Sequence, residues 1–179
     1  PSPTPSPTAT PTPTPTPTPS PTPTPTPSPS PSPTPSTTTV VLAVVAAEDG
    51  YILETNETAQ AGGSLSSAGV DIRLGDDNQD RAMRGVLSFD TSTIPAGATI
   101  TRATLKLTRA SLTGTTPWNT LGTLVADIAV PKLGSTTALE VGDWQAAVTA
   151  SAVATVPQPS GDGIQVTTNL SATGISNIN

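Results

Sequence analysis

Four stretches of the chain repeat with a period of two. Val70, Ile72 and Leu74 alternate with Asp71 and Arg73, and Gly85, Leu87 and Phe89 alternate with Val86 and Ser88. Ala103, Leu105 and Leu107 alternate with Thr104, Lys106 and Thr108; Leu124, Ala126, Ile128 and Val130 alternate with Val125, Asp127 and Ala129. Successive side chains of a strand point to opposite faces, so each run predicts a strand with one buried face. Turn-forming clusters separate the runs: Gly62-Gly63, Asp76-Asp77-Asn78, Pro95-Ala96-Gly97, Gly114, Gly134 and Gly161-Asp162-Gly163. Short strands between such turns predict an all-β, antiparallel sandwich.

Two segments depart from this rhythm. Thr136 to Val148 holds Leu139, Trp144 and Val148 behind Asp143, which predicts one short helical segment with Asp143 as its N-cap and Trp144 plugging the core. Val40 to Ala47 is the most apolar run. It is too short to span a bilayer as a helix, which needs about 20 residues. Its valines predict a buried strand, either an inner strand of this domain or one donated to the open sheet edge of a neighbouring copy, with a simple linker as the third reading.

Residues 1 to 36 alternate Pro with Ser or Thr, interrupted at Ala9. Proline donates no backbone hydrogen bond and biases its predecessor toward extended geometry. This predicts polyproline II or a stiff disordered spacer reaching on the order of 110 Å. Its dense hydroxyls are the composition of an O-glycosylated stalk. We therefore read 1–39 as a linker or stalk and 40–179 as one domain. A tail of this kind joins two things, so a further segment is expected upstream.

Charge sharpens the division. All seven Lys and Arg and all thirteen Asp and Glu lie between Glu48 and Asp162, giving a net charge of −6. With no basic run, nucleic acid and anionic membrane are disfavoured partners. There is no His and no Cys. This excludes Ser-His-Asp and Cys-His catalysis, imidazole or thiolate metal sites and disulfides. Only oxygen ligands remain for a metal, which points to calcium or magnesium.

Several segments resemble, in order and spacing, the DNRLRE-domain family, also classed as carbohydrate-binding module family 96. They are Ala47-Glu48-Asp49-Gly50-Tyr51, Ile72-Arg73-Leu74-Gly75-Asp76, Arg84-Gly85-Val86-Leu87-Ser88-Phe89-Asp90, Ile94-Pro95-Ala96-Gly97-Ala98-Thr99-Ile100 and Ala103-Thr104-Leu105-Lys106-Leu107. Asp143-Trp144 resembles that family's short helical insertion. The resemblance runs over about residues 47 to 179. It implies a jelly-roll-like β-sandwich in a secreted, multidomain protein, with non-catalytic glycan binding or adhesion. The family continues to a closing strand of the type Pro-x-Leu-x-Val-x-Tyr, which does not precede Ile178-Asn179 here, so a final strand is expected to be missing.

Glycan binding usually uses an aromatic ring under the apolar face of a sugar. The aromatic residues are Tyr51, Phe89, Trp118 and Trp144. Phe89 reads as core. Trp118 follows Pro117 in a polar loop, where it serves either as a ligand platform or as a structural anchor. Tyr51 is the second ligand-binding candidate. Asp76, Asn78 and Asp80 stand at alternate positions, a spacing suited to calcium; the other reading is an acidic turn neutralised by Arg73, Arg81 and Arg84. An EF-hand is excluded, because its glycine and closing glutamate positions hold Arg81 and Leu87. Sequons at Asn56 and Asn169 matter only in a host that glycosylates asparagine.

The expectation is a non-enzymatic module at the cell surface or outside the cell, with a polysaccharide or cell-surface glycan as partner and Ca2+ as candidate cofactor. The alternative is a structural subunit of a surface layer or fibre that joins copies of itself by strand exchange.

Overall fold

The computed structural model describes residues 1–16, 20, 36–67, 69 and 71–178. The chain divides into two compact units, Pro1–Thr38 and Thr39–Asn179. In the first, the described residues are exposed and carry neither helix nor strand. The predicted polyproline stretch over 17–19 and 21–35 lies outside the described residues.

The second unit is mainly β. Its first sheet holds β1 (Gly50–Glu54), β2 (Gly62–Ser66), β3 (Gly75–Asp76) and β4 (Ala82–Val86), in the order β2-β1-β4-β3 with every pair antiparallel. Burial alternates along β1: Gly50, Ile52 and Glu54 are buried, Tyr51 and Leu53 half-buried. Ile52 stands in register with Leu65 of β2 and Arg84 of β4. Leu139 and Trp144 cover it, with Leu65, Ala82 and Val86 packed around them. Full burial of an aliphatic side chain such as Ile52 stabilises by about 1.5–3 kcal/mol. Gly62 makes this layer close: a Cβ there would strike the Val141 carbonyl oxygen and lie 3.1 Å from Trp144 Cβ.

The helical segment predicted over Thr136–Val148 is a single 3-10 turn, Val141–Trp144. Glu140, not Asp143, is the N-cap. Asp143 occupies the third helical position, and its Oδ2 accepts from the Glu140 amide at 2.8 Å. Trp144 does plug the core, at 3% exposure. Among the described residues there are also two short α-helices, α1 (Pro117–Thr120) and α2 (Ala172–Ser176), beyond the one helical segment the sequence predicts.

Three predicted strands are corrected. The run Val40–Ala47 is not a buried strand: Val41 is 89% exposed, and an isolated bridge from Val44 to Phe89 is its ladder contact. The chain turns away at once, with the Glu48 amide donating to the Val45 carbonyl at 2.8 Å. In the predicted 70–74 strand, Val70 lies outside the described residues, and Ile72 to Leu74 form no ladder. Ile72 and Leu74 lie instead over Gly85, each with a methyl carbon 2.9 Å from where a side chain would begin. The alternation marks a shared direction, but these side chains cover the sheet face at Gly85, and the chain joins the sheet edge only at Gly75–Asp76, as β3. The run Gly85–Phe89 loses its strand at Val86, because the Asp49 carboxylate takes the Ser88 amide at 2.7 Å.

The two remaining periodic runs are strands as predicted. β5 (Thr104–Thr108) pairs with β8 (Gln165–Asn169), and β6 (Leu124–Ile128) pairs with β7 (Ala150–Val156), all antiparallel. A bulge falls between Ala126 and Ile128. There Asp127 Oδ1 accepts from the amide of Ala152, which sits at φ +50°. Val153, Ala154 and Val156 of β7 are buried, and α2 packs on this strand at Gly174. The Ser171 hydroxyl caps α2 by accepting from the Gly174 amide at 3.2 Å.

Candidate functional site

The segment Arg73–Asp76 touches Tyr51 at one end and the start of α1 at the other. At one end the Arg73 guanidinium carbon stands 5.5 Å from the centroid of the Tyr51 ring. Tyr51 belongs to the face of β1 opposite Ile52, and its ring carries a cation there rather than packing in the core. At the other end, Pro117 Cβ lies 3.6 Å from where a Gly75 side chain would begin. That is ordinary contact distance; glycine is needed at this position for its φ of +116°. Pro117 opens α1, where its fixed φ is already suitable and its missing N–H costs nothing.

Trp118 is half-buried, and its indole N–H donates to the Val156 carbonyl at 3.3 Å. Gln158 adds a second tie from the end of β7, donating from Nε2 to the Thr116 hydroxyl at 3.2 Å. The indole is therefore held by its edge while part of its surface stays accessible. The sequence places Tyr51, Asp76 and Trp118 far apart; the Arg73–Asp76 segment meets Tyr51 through Arg73 and the first residue of the Trp118 helix through Gly75.

The acidic turn is organised by Asp77, which was not among the three candidate ligands. Its Oδ1 accepts from the amides of Gln79 and Arg81 at 2.9 and 3.1 Å. Its Oδ2 takes the Arg81 guanidinium at 2.9 Å from Nε and 2.5 Å from Nη2. The Arg81 hydrogen bond, with help from the two amides, pulls the Asp77 carboxyl down to about 2 from 3.8. Asp76, Asn78 and Asp80 are all exposed, and Asp80 adopts φ +57° to close the turn. Among the described residues no group of three or more carboxylates is placed to hold a metal ion.

Phe89, read from the sequence as core, is 38% exposed. It lines a groove of about 340 Å3 with Glu48, Ser88, Asp90, Thr91 and Pro131. Glu48 Oε2 accepts from the Ser88 hydroxyl at 2.5 Å. Asp90 Oδ1 accepts from the Ser92 amide at 2.8 Å, and that bond, joined by the Ser92 hydroxyl, holds its carboxyl below the usual range. The signal for an outward Phe89 was Asp49-Gly50 upstream: a buried carboxylate that captures the Ser88 amide ends the alternation on which the core assignment rested. Comparison of the chain with protein-family models, with curated proteins and with solved structures gives no match.

Proposed function

We propose that residues 40–179 are a non-catalytic glycan-binding or adhesive module, displayed outside the cell or at its surface on the 1–39 stalk. The observation that carries this reading is the Arg73–Asp76 segment, whose Arg73 stacks a cation on Tyr51 and whose Gly75 meets Pro117 at the start of the Trp118 helix. Two partly accessible aromatic rings with charged and hydroxyl groups at their rims are the chemistry that packs and orients a sugar. The resemblance to the DNRLRE-domain family supports the same function. It also supports a jelly-roll-like sandwich. A Thr168 hydroxyl bond to the Thr155 carbonyl at 2.7 Å sets the β5–β8 pair beside the β6–β7 pair, which supports a larger sheet that could form one layer of it. The test is a panel of neutral and acidic polysaccharides against the full chain, with calcium and with a chelator. Saturable binding that falls on Trp118→Ala or Arg73→Ala supports the module; a folded protein that binds no polysaccharide overturns it.

A second reading rests on Val40, Val41 and Val44. These stay exposed next to the bridge at Phe89, and an extended apolar segment of this kind suits donation to a sheet edge of another copy. On this reading the chain is a subunit of a surface layer or fibre. Light scattering tests it: polymers that vanish on Val41→Lys with Val44→Lys support assembly by strand donation, and a monomer at all concentrations overturns it.

A further inference from the structure

We propose that the groove beside Phe89 receives the protonated amine of an amino-sugar unit, with the ring under the sugar and Glu48 and Asp90 around the ammonium group. The proposal takes the glycan as carrier from the reading above, but it concerns a different place in the fold and a different ligand charge.

The groove is built rather than incidental. Backbone on both sides of Phe89 is fixed. The Ser88 amide donates to Asp49, a carboxylate with only 7% exposure, and the Ser88 carbonyl accepts from the Val45 amide at 2.9 Å. Phe89 itself bridges to Val44, and Asp90 is locked by the Ser92 amide. A phenyl ring is thus held half-exposed in a chain with only four aromatic residues. Burying it elsewhere would gain free energy, so its outward setting is a feature of these backbone ties.

The lining chemistry selects the ligand. Glu48 and Asp90 form no ion pair among the described residues; the pairs found there are Arg81 with Asp77 and Arg109 with Asp162. Ionised carboxylates accept hydrogen bonds and donate none, and no Lys, Arg, Asn or Gln lines the groove to donate in their place. An acidic sugar would be repelled by both carboxylates, with only the Ser88 and Thr91 hydroxyls to donate to it, and a neutral acetamide would waste both charges. An ammonium group satisfies both carboxylates with its three donors and is attracted to the ring face as well. The net charge of −6 adds long-range attraction for the same ligand.

The experiment titrates the full chain with an oligomer of β-1,4-linked glucosamine and with the same oligomer fully N-acetylated. Both are measured in one mildly acidic buffer at one ionic strength, by calorimetry. The expected result is affinity about tenfold higher for the amine form. Phe89→Ala and Asp90→Asn should each abolish most of that ratio, measured well below the unfolding temperature of either variant so that both are folded when titrated. Glu57→Gln removes one exposed charge from the β1–β2 loop and should leave the ratio intact. Equal affinity for the two oligomers overturns the proposal. So does a Glu57→Gln loss as large as that of Asp90→Asn, which would assign the attraction to net charge. Amine discrimination without Trp118-dependent binding of neutral polysaccharides would sink the aromatic site above and leave the groove standing; the reverse pattern would sink the groove alone.

Discussion

The Arg84 guanidinium lies 4.4 Å above the Trp144 ring and donates from Nη1 to the Trp144 carbonyl at 2.6 Å. One side chain thereby clamps both the ring and the backbone of the 3-10 turn onto β4. It holds the turn's buried face against Ile52. Trp144→Ala should lower stability by about 3–5 kcal/mol, the usual cost of emptying an aromatic site in a core. Arg84→Ala should cost about 1 kcal/mol, because the cation is exposed and only part of its attraction survives solvent. Urea unfolding of the two variants and the double variant checks this. A non-additive pair is expected, since both changes remove the same clamp.

The Asp77–Arg81 turn should make stability depend on acid. Asp77 in the folded state titrates at about 2, below its ordinary 3.8. A depressed carboxyl stabilises the fold while it is ionised, so its contribution is complete above 3.8 and is lost as pH falls toward about 2. Thermal midpoints measured across that interval should drop more steeply in the native chain than in Asp77→Asn. Parallel curves for the two proteins would remove Asp77 as a cause.

The sequence made the β content legible, together with the two strands whose alternation is undisturbed, β5 and β6. Leu105 and Leu107 on β5 and Ala126 and Ile128 on β6 need nothing but their own periodicity to choose a face. Where a side chain competes for a backbone group, periodicity misled. Asp49 captures the Ser88 amide and turns Phe89 outward, and the bare Gly85 draws Ile72 and Leu74 across the sheet face. Tyr51 and Trp118 were legible as candidates by residue type. The contacts of Arg73 with Tyr51 and of Gly75 with Pro117 were not, because they join segments remote in sequence. The strands β1, β2, β3, β7 and β8 were missed. Gly62-Gly63 reads as a turn, and the bulge at Ala152 breaks any pattern along β7.

Buried Glu54 joins the β1–β2 loop and the start of β4. Its Oε1 accepts from the Gln60 amide at 2.9 Å and its Oε2 from the Ala82 amide at 3.2 Å, with only 5% of the residue exposed. Glu54→Ala leaves two amides without acceptors and should cost about 2–3 kcal/mol. Glu54→Gln keeps one acceptor oxygen and should cost less. Hydrogen exchange at the Gln60 and Ala82 amides is the direct readout. Both should exchange faster in Glu54→Ala, and unchanged protection there would show that the carboxylate is not what holds them.

Trp118 separates anchoring from ligand contact, because the two roles use different parts of one indole. Its N–H holds Val156, while the ring face is the part a sugar would cover. Trp118→Phe removes the donor and keeps an aromatic face. It should cost about 1 kcal/mol of stability and leave glycan affinity within about threefold of the native value. Trp118→Ala removes both, and should lower affinity about tenfold as well as stability. The comparison is made well below the unfolding temperature of either variant, so that both samples are folded when titrated. If Trp118→Ala unfolds more easily yet binds polysaccharide as tightly as the native chain, the residue is an anchor alone. The platform must then be sought at Tyr51 and Arg73, where Tyr51→Ala would be the variant that loses affinity.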